Sequence, residues 1–524
     1  MARTPRATVA MSISPVDGLV DAFWTGWISI PSSKIRGTDG WTAFYPPGRV
    51  CVGRNLEFSI MLSDTIAAIA TPIGEGGLAV IRLSGSQSFQ IADAAFQPVG
   101  RHSAKPSTAS THTIHFGHIV RNGTTIDEVL LSVMRAPRTF TREDVVEITC
   151  HGGLLPAKLV LDTLLEKGAR LAEPGEFTRR AFLNGRIDLA QAEAVADLIR
   201  SRTDLALRAA NEQLAGKLSR RINTLRDDFL KVLAHVEAHI DFPDEDISPD
   251  TRDQLLARLE RGIAFIDELL RTANEGQILR RGIRAAIIGR PNAGKSSLLN
   301  QLLGHDRAIV SPIPGTTRDT IEETANVRGL PVVFIDTAGL RDSTDEIEKE
   351  GVRRSHKSLE QADLILHVLD SSEPLTHADQ RYLSEFAHRK RILILNKSDL
   401  PQDPSAHSFT GALTRSAASS SRIPISCLTG FGIESLKDCI KDSIWSGEIR
   451  AEMLQVMINS RHQDALTRGR VAALRTLEAL RADQPLDLVA LDLRIAVNAI
   501  GEIVGKTSTE DLLDMIFSQF CIGK

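Results

Sequence analysis

At 524 residues the chain is too long for one hydrophobic core, and its length predicts about three or four domains. The composition, 42% hydrophobic and 24% charged, is that of a globular protein, and the net charge of −4 excludes an overall basic surface for nucleic acid. The five cysteines form no CxxC pair, which argues against a zinc ribbon or a disulfide framework and favours a reducing, intracellular setting.

Residues 1–60 differ from the rest of the chain. They hold three of the four tryptophans, no sustained periodicity and no apolar core of a secretory signal. We interpret them as a disordered extension or an over-called start codon, with Met61 as the original start. The alternative is an organellar transit peptide, because the first 16 residues are basic and free of acidic side chains. No apolar stretch in the chain approaches the roughly 18–20 residues of a membrane span.

Residues 61–180 predict a compact α+β domain. Short apolar strands such as Gly77–Leu83 and Val129–Val133 alternate with Gly and Pro turns. A helix is predicted over Pro156–Lys167. Mixed short strands and a helix of this kind are typical of an α+β layer architecture.

The segments 181–280 and 449–524 are predicted to be helical. Apolar residues repeat at helical spacing from Leu214 to Ile240, and the periodicity ends before Pro243. Further helices are predicted over Thr251–Asn274, Gln463–Arg481, Asp487–Val504 and Glu510–Phe517. Residues 281–448 lie between these segments and alternate strand with helix, which indicates a doubly wound α/β domain. The predicted fold class is therefore multidomain α/β plus α, with a nucleotide domain inserted into a helical one.

A phosphate-binding loop begins the inserted domain. The run Gly289–Ser296 follows an apolar strand, Ile283–Ile288, and precedes a helical pattern. Its glycines allow backbone N–H groups to point at phosphate oxygens, and the helix N-terminus adds a positive dipole end. Lys295 is expected to reach the β- and γ-phosphates, and Ser296 to ligate Mg²⁺.

Four further motifs follow in the order of a GTPase. Asp336–Gly339 ends an apolar strand, where an Asp can hold the Mg²⁺ water shell, and Gly315–Asp319 carries hydroxyls for the same ion. Asn396–Asp399 follows the strand Ile392–Leu395. A carboxylate there accepts the N1–H and N2–H of guanine and repels adenine. Ser426–Leu428 follows another strand and suits backbone contact with the base. This segment resembles the translation-factor-related branch of small GTPases.

One position departs from Ras-like GTPases, which place Gln after the DxxG glycine to orient the attacking water. Here that position is Leu340, which cannot hydrogen-bond water. From chemistry alone Asp345, Glu346 or Glu348 of the following acidic loop is the candidate for this role. An arginine finger is not evident, although the transition state needs positive charge between the β- and γ-phosphates.

Three stretches outside this domain carry a resemblance that covers the chain from about Met61 to its last residue. They are Phe140–Glu147 with His151–Gly153, Pro174–Thr178 with Arg180–Glu193, and the terminal Phe520–Lys524. With the inserted GTPase they resemble the MnmE (TrmE) family of tRNA uridine-5-carboxymethylaminomethyl modification GTPases. The resemblance implies a cytoplasmic homodimer, or a mitochondrial protein if residues 1–60 are a transit peptide. It also implies that the wobble uridine of certain tRNAs is modified together with an MnmG-type flavoprotein, in a heterotetramer in which FAD belongs to the partner.

The resemblance also implies a folate site. The N-terminal domain of the family binds a 5-formyltetrahydrofolate-type one-carbon donor. Matching motifs assign this contact to Arg82, Glu147, Arg186 and Lys524; Arg186 stands where the family often has Lys, so its hydrogen-bond geometry differs. Cys521 matches a cysteine proposed to act in the modification, and a buried structural thiol is the alternative.

In the GTPase domain the resemblance implies activation by K⁺ and by dimerisation. Asn292 matches the side chain that binds K⁺, a cation that stands in for the arginine finger, and Glu348 matches the glutamate that orients water. The resemblance implies Ser311, Ile313 and Thr316 as further K⁺ ligands, and Ser296 and Thr317 as Mg²⁺ ligands. The GTP-binding set expected from the motifs and the resemblance is Asn292, Ala293, Gly294, Lys295, Ser296, Ser297, Ser311, Thr316, Thr317, Asp336, Thr337, Ala338, Gly339, Asn396, Lys397, Asp399, Ser426, Cys427 and Leu428.

Two other functions remain as alternatives. A regulatory switch GTPase for ribosome assembly would need no chemistry on RNA, and the folate-domain motifs and the terminal Cys521–Lys524 argue against it. A scaffold with an inert nucleotide site would predict lost P-loop or NKxD residues, and these are intact.

Overall fold

The computed structural model describes residues 64–100, 104–241, 252–304, 323–335, 361–386, 388–404, 421–445 and 457–524. The helices and strands below lie in one compact unit, Thr65–Lys524. The interpretation of residues 1–60 as an extension falls outside the described residues.

The N-terminal part is built on a seven-stranded sheet with the strand order β3-β4-β5-β6-β2-β1-β7. Its neighbouring strands are antiparallel except β1 and β7, which are parallel. The elements are β1 (Ile66–Ile69), β2 (Leu78–Ser84), α1 (Ser88–Ala95), β3 (Phe96–Pro98), β4 (Thr113–Arg121), β5 (Thr124–Met134), β6 (Val145–His151), α2 (Leu154–Glu166) and β7 (Arg170–Leu171).

The two faces of this sheet differ because side chains alternate along each strand. Ile81, Leu131 and Ile148 are fully buried in a core with residues of α1 and α2. The opposite face carries Arg82 and Glu147, which are partners in the register of β2 and β6. Polar groups therefore lie on the face that the two helices leave uncovered.

The helical part begins earlier than the predicted boundary at residues 180 and 181, which falls inside α3. Its first six helices are α3 (Glu176–Leu183), α4 (Leu189–Arg200), α5 (Asp204–Leu214), α6 (Lys217–Asp241), α7 (Arg252–Arg271) and α8 (Ala273–Arg281). After the insertion follow α12 (Ser460–Arg481), α13 (Leu486–Val504) and α14 (Glu510–Phe517), close to the predicted ranges.

Two helix predictions need correction. The predicted helix Thr251–Asn274 is two helices, because Thr272 leaves the helical conformation and its hydroxyl donates to the Leu269 carbonyl. The periodic run from Leu214 to Ile240 is likewise divided, because Gly216 adopts a left-handed φ of 75° and ends α5.

The inserted domain has a six-stranded sheet with the order β13-β12-β11-β8-β10-β9, in which only β9 and β10 pair antiparallel among the described strands. Its elements are β8 (Ile283–Ile288), α9 (Lys295–Leu303), β9 (Glu323–Val327), β10 (Leu330–Ile335), β11 (Leu364–Asp370), α10 (His377–Glu385), β12 (Arg391–Asn396), β13 (Ser421–Pro424) and α11 (Ile433–Ile444). The predicted doubly wound α/β pattern is confirmed.

The helical core joins both sides of the insertion. One cluster of buried residues contains Leu225 and Phe229 of α6 together with Leu466 of α12 and Leu493 of α13. The insertion predicted from the helical periodicity is therefore confirmed. None of the described helices is both long and apolar enough to cross a membrane.

Candidate nucleotide and folate sites

The P-loop lies between the end of β8 and the start of α9. Gly294 is the N-cap of α9 and adopts a left-handed φ of 96°. A Cβ at this position would lie 2.1 Å from Asn396 Nδ2, so glycine is required by both conformation and space. Asn292 also has a positive φ, 61°, which asparagine tolerates better than most residues.

The P-loop lysine is held inside its own loop. Lys295 Nζ donates to the carbonyls of Gly289 at 2.9 Å and Arg290 at 2.8 Å. Burial lowers the pKa of Lys295 from its ordinary value. The ammonium group of Lys295 is thus held within the loop that would bind the phosphates of the nucleotide.

Hydrogen bonds join the P-loop to the two base-recognition motifs. Asn396 Nδ2 donates to the Ala293 carbonyl at 2.9 Å, and the Cys427 N–H donates to Asn396 Oδ1 at 3.2 Å. The Ser398 N–H donates to the Ile425 carbonyl at 3.0 Å. Asn396 is therefore a buried structural link between motifs about 100 and 30 residues apart in sequence.

The Asp399 carboxylate is exposed at the same edge of the sheet. Burial, and next the negative charge of Asp399, raise the pKa of the Cys427 thiol to about 11. Leu428 is exposed, whereas Ser426 is buried and its hydroxyl accepts the Thr429 N–H at 3.2 Å. An exposed carboxylate beside exposed loop backbone fits the predicted recognition of guanine.

Several predicted site residues lie outside the described residues. They are Ser311, Ile313, Thr316, Thr317, Asp336, Thr337, Ala338, Gly339 and Glu348, together with Leu340 and the alternatives Asp345 and Glu346. The roles of these residues in binding Mg²⁺ and K⁺ and in orienting water therefore stay predictions. The same holds for Asn292 and Ser296, which lie within the described residues.

A second group of predicted residues meets on the N-terminal sheet. Arg82 Nε donates to Glu147 Oε1 at 2.7 Å across neighbouring strands. Arg82 also donates to the Gly523 carbonyl at 3.4 Å, and its guanidinium lies 5.7 Å from the centre of the Phe177 ring. A strand residue thus contacts the end of the chain.

The C-terminal residues are fixed against β1 and α3. A Cβ at Gly523 would lie 2.5 Å from the Ile69 carbonyl, so this close approach requires glycine. The Gly175 N–H donates to the Cys521 carbonyl at 3.4 Å. Cys521 itself is exposed, so the alternative of a buried structural thiol is wrong. Lys524 is partly exposed beside these residues.

Arg186 approaches the same region from the loop after α3. It donates to the Thr139 carbonyl at 2.5 Å and lies 5.2 Å from the centre of the Phe140 ring. Phe140 packs against the buried cluster that contains Phe177. Arg82 and Arg186 therefore each lie over an aromatic ring of one apolar cluster, and Glu147 is bonded to Arg82. Sequence reasoning did not assign these two aromatic residues, although both lie within the distinctive motifs.

Comparison with known proteins agrees with this division of the chain. A model of the GTP-binding protein TrmE N-terminus matches residues 65–186, and a model of the MnmE helical domain matches residues 189–521. The chain belongs to the MnmE family.

Relatives in this family match nearly their whole length. The tRNA modification GTPase MnmE of Geobacillus thermodenitrificans is 50% identical over 465 residues, which is 88% of this chain and 99% of the relative. That of Lacticaseibacillus paracasei is 47% identical over 472 residues, 90% of this chain and 100% of the relative. The resemblance drawn from the motifs is confirmed, and the chain is a GTPase of the MnmE type.

Proposed function

We propose that this GTPase acts with an MnmG-type FAD protein to form the 5-carboxymethylaminomethyl group on the wobble uridine of certain tRNAs in the cytoplasm. The observation that carries the proposal is the 50% identity over 99% of a relative named tRNA modification GTPase MnmE. GTP hydrolysis drives the conformational change, and a folate supplies the one-carbon unit.

The nucleotide site has the chemistry that this role needs. Lys295 would meet the β- and γ-phosphates, and Asp399 would accept the N–H groups of guanine. Hydroxyl oxygens such as that of Ser296 suit Mg²⁺, and the amide oxygen of Asn292 suits K⁺, so the described donors fit both ions. When bound, the two cations would neutralise charge on the phosphoryl oxygens.

A K⁺ requirement is the first expected outcome. Since Leu340 cannot orient water and no arginine finger is evident, GTP turnover should be at least about tenfold faster in K⁺ than in Na⁺ at equal ionic strength. The measurement is phosphate release by the full chain. Equal rates in the two salts would contradict the assignment of Asn292.

Glu348→Ala should abolish turnover and leave GTP affinity near normal; retained turnover would move the role to Asp345 or Glu346.

The folate site is proposed on the N-terminal sheet. Arg82 and Arg186 offer cations for the carboxylates of a folate, the Glu147 carboxylate offers an acceptor for its ring N–H groups, and Phe140 offers partly exposed aromatic surface. Lys524 would add a further cation, and Cys521 would take part in the modification itself.

A homodimer is proposed through the uncovered face of the same sheet. Ile114, Phe116 and Leu130 are 68%, 44% and 47% exposed there. Phe116 is opposite Leu130, and Ile114 is opposite Ser132, which is next to Glu147 in the register. A second copy of the chain would cover this apolar strip and border the folate site.

The decisive experiment is nucleoside analysis of tRNA from cells that lack the protein. Wobble 5-carboxymethylaminomethyluridine should disappear and return with the wild-type chain. Arg82→Ala should fail to restore it while its GTP turnover is retained, because the sheet is separate from the P-loop. Arg121→Ala, which removes an ion pair to Glu166 at another place on the sheet, is the matched control and should restore modification. Normal modified tRNA in the deleted strain would instead favour the regulatory switch GTPase.

A further inference from the structure

A buried carboxylate lies between the two halves of the nucleotide site. Asp370 is the last residue of β11, and its side chain is 3% exposed. One of its oxygens, Oδ1, accepts the N–H of Ser372 at 3.0 Å and the hydroxyl of the same residue at 2.6 Å. These bonds fix the carboxylate, so that its other oxygen has a defined direction.

That second oxygen faces a cation from each nucleotide-binding loop. Lys397 Nζ of the NKxD motif lies 2.5 Å from Asp370 Oδ2, and Arg290 of the P-loop lies 3.7 Å from the same atom. Burial acts to raise the pKa of Asp370, but the bonds from Lys397 and Ser372 outweigh it and the pKa is lowered. The carboxylate is therefore ionised at neutral pH.

Each of these cations is connected to nucleotide-binding backbone. Lys397 has a left-handed φ of 64°, which is unfavourable for a lysine and must be held by its surroundings. The backbone carbonyl of Arg290 accepts the Lys295 ammonium at 2.8 Å. Asp370 thus restrains Lys397, the residue before Ser398–Asp399. Through Arg290 it also restrains the P-loop, whose carbonyls hold Lys295.

We propose that Asp370 is a positioning residue for GTP, which holds Lys397 and the P-loop in their binding arrangement before the nucleotide enters. The inference rests on the proposed nucleotide site and adds a residue that touches no nucleotide. A preassembled site binds more tightly because less ordering remains for the ligand to impose.

The test is nucleotide affinity of Asp370→Asn, which keeps the volume and the acceptor for Ser372 but removes the charge. GTP and GDP should bind about tenfold more weakly, mainly through faster dissociation, with kcat at saturating GTP changed less than about threefold. Glu373→Gln is the matched control. Glu373 also binds Arg290, at 2.7 Å, but is exposed and does not contact Lys397, so affinity should stay within about twofold.

A double-mutant cycle tests whether Asp370 acts through Lys397. In a Lys397→Met background, Asp370→Asn should lose most of its effect and weaken GDP binding less than about threefold. Wild-type affinity of Asp370→Asn, or the same loss in both backgrounds, would overturn the proposal. If the Asn variant does not fold, Ser372→Ala decides, because it removes the hydroxyl that holds Asp370 and lies outside the GTP-binding set. It should weaken GDP binding by about threefold, and unchanged affinity there would also overturn the proposal.

A parallel variant separates this inference from the site on which it rests. Asp399→Asn should shift preference from GTP towards XTP if the nucleotide site is correctly assigned. A shift in Asp399→Asn combined with no effect in Asp370→Asn would reject the positioning role alone. No shift in Asp399→Asn would reject the site assignment itself.

Discussion

At the level of single residues, the helical core contains a buried charged group that the apolar periodicity of its helices does not predict. Glu193 binds Arg461 through both oxygens, at 2.9 and 2.8 Å, and lies 2.8 Å from Nε2 of the fully buried His462. Burial raises the pKa of Glu193, but the charge of Arg461 outweighs it and the pKa is well below its usual range. Because Arg461 donates to both oxygens of Glu193, this carboxylate tolerates burial that an isolated charge would not.

His462 makes the stability of the protein depend on pH. Burial lowers its pKa to about 4, whereas the unfolded residue titrates near 6.5. Between these values the unfolded state binds more protons, so His462 alone should lower the free energy of unfolding by about 3 kcal/mol as pH drops from 6.5 to 4. Urea unfolding at several pH values checks this.

The control variant is His462→Gln, which cannot titrate. Its free energy of unfolding should approach that of the wild type as pH is lowered, because the protonation penalty exists only in the wild type. Parallel curves for the two proteins would show that His462 does not titrate in this range. His367, also buried with a pKa of about 4, should leave a residual slope in both proteins.

At the element scale one of the family motifs is a helix start. Asp188 is the N-cap of α4: its side chain accepts the Gln191 N–H at 2.9 Å, and Gln191 Oε1 accepts the Asp188 N–H at 3.0 Å. This is a reciprocal capping box, in which each side chain satisfies a backbone N–H that the helix leaves free. The motif positions α4 directly after Arg186.

Removing this cap should destabilise the helical part. Asp188→Ala is expected to lower the free energy of unfolding by about 1–2 kcal/mol, because the Gln191 N–H loses its acceptor. Asp188→Asn keeps an acceptor oxygen and should lose less than half as much. Urea denaturation followed by circular dichroism measures both. Equal losses for the two variants would mean that the charge of Asp188, rather than the cap, matters.

At the scale of the whole molecule the insertion is possible because its two ends meet. A Cβ at Gly276 would lie 2.4 Å from the Ile458 carbonyl, so the chain leaves and re-enters the helical part at one place. Trp445 and Met457 pack there with Leu279 and Leu330 in a separate apolar cluster. Movement of the nucleotide domain would therefore act on the helices at this junction.

The proposed dimer is also a property of the whole molecule. Phe116→Glu should place a charge in the apolar strip of the uncovered sheet face and convert the dimer into a monomer, as measured by light scattering. Its thermal stability should change little, since Phe116 is 44% exposed. Lys158→Glu, a charge change on α2 at the opposite face of the sheet, is the control. A dimeric Phe116→Glu variant would exclude this face as the interface.

Local sequence patterns were enough to predict the class of each part of the chain. Periodicity and turn residues are local, so they predicted the strand–loop–helix of the P-loop, the doubly wound insertion and the approximate bounds of several helices. They did not determine the breaks at Gly216 and Thr272, where short local signals compete with a continuous apolar pattern.

Which polar groups meet is a matter of tertiary packing. Arg82 contacts Gly523 across 441 positions, Arg461 contacts Glu193 across 268, and Asp370 lies between cations of two separate loops. Motif matching assigned roles to Arg82 but none to Asp370 or Glu193. The physical reason is that the partner of a buried charge depends on how distant segments pack, whereas local patterns report only which residues are buried together on one helix or strand.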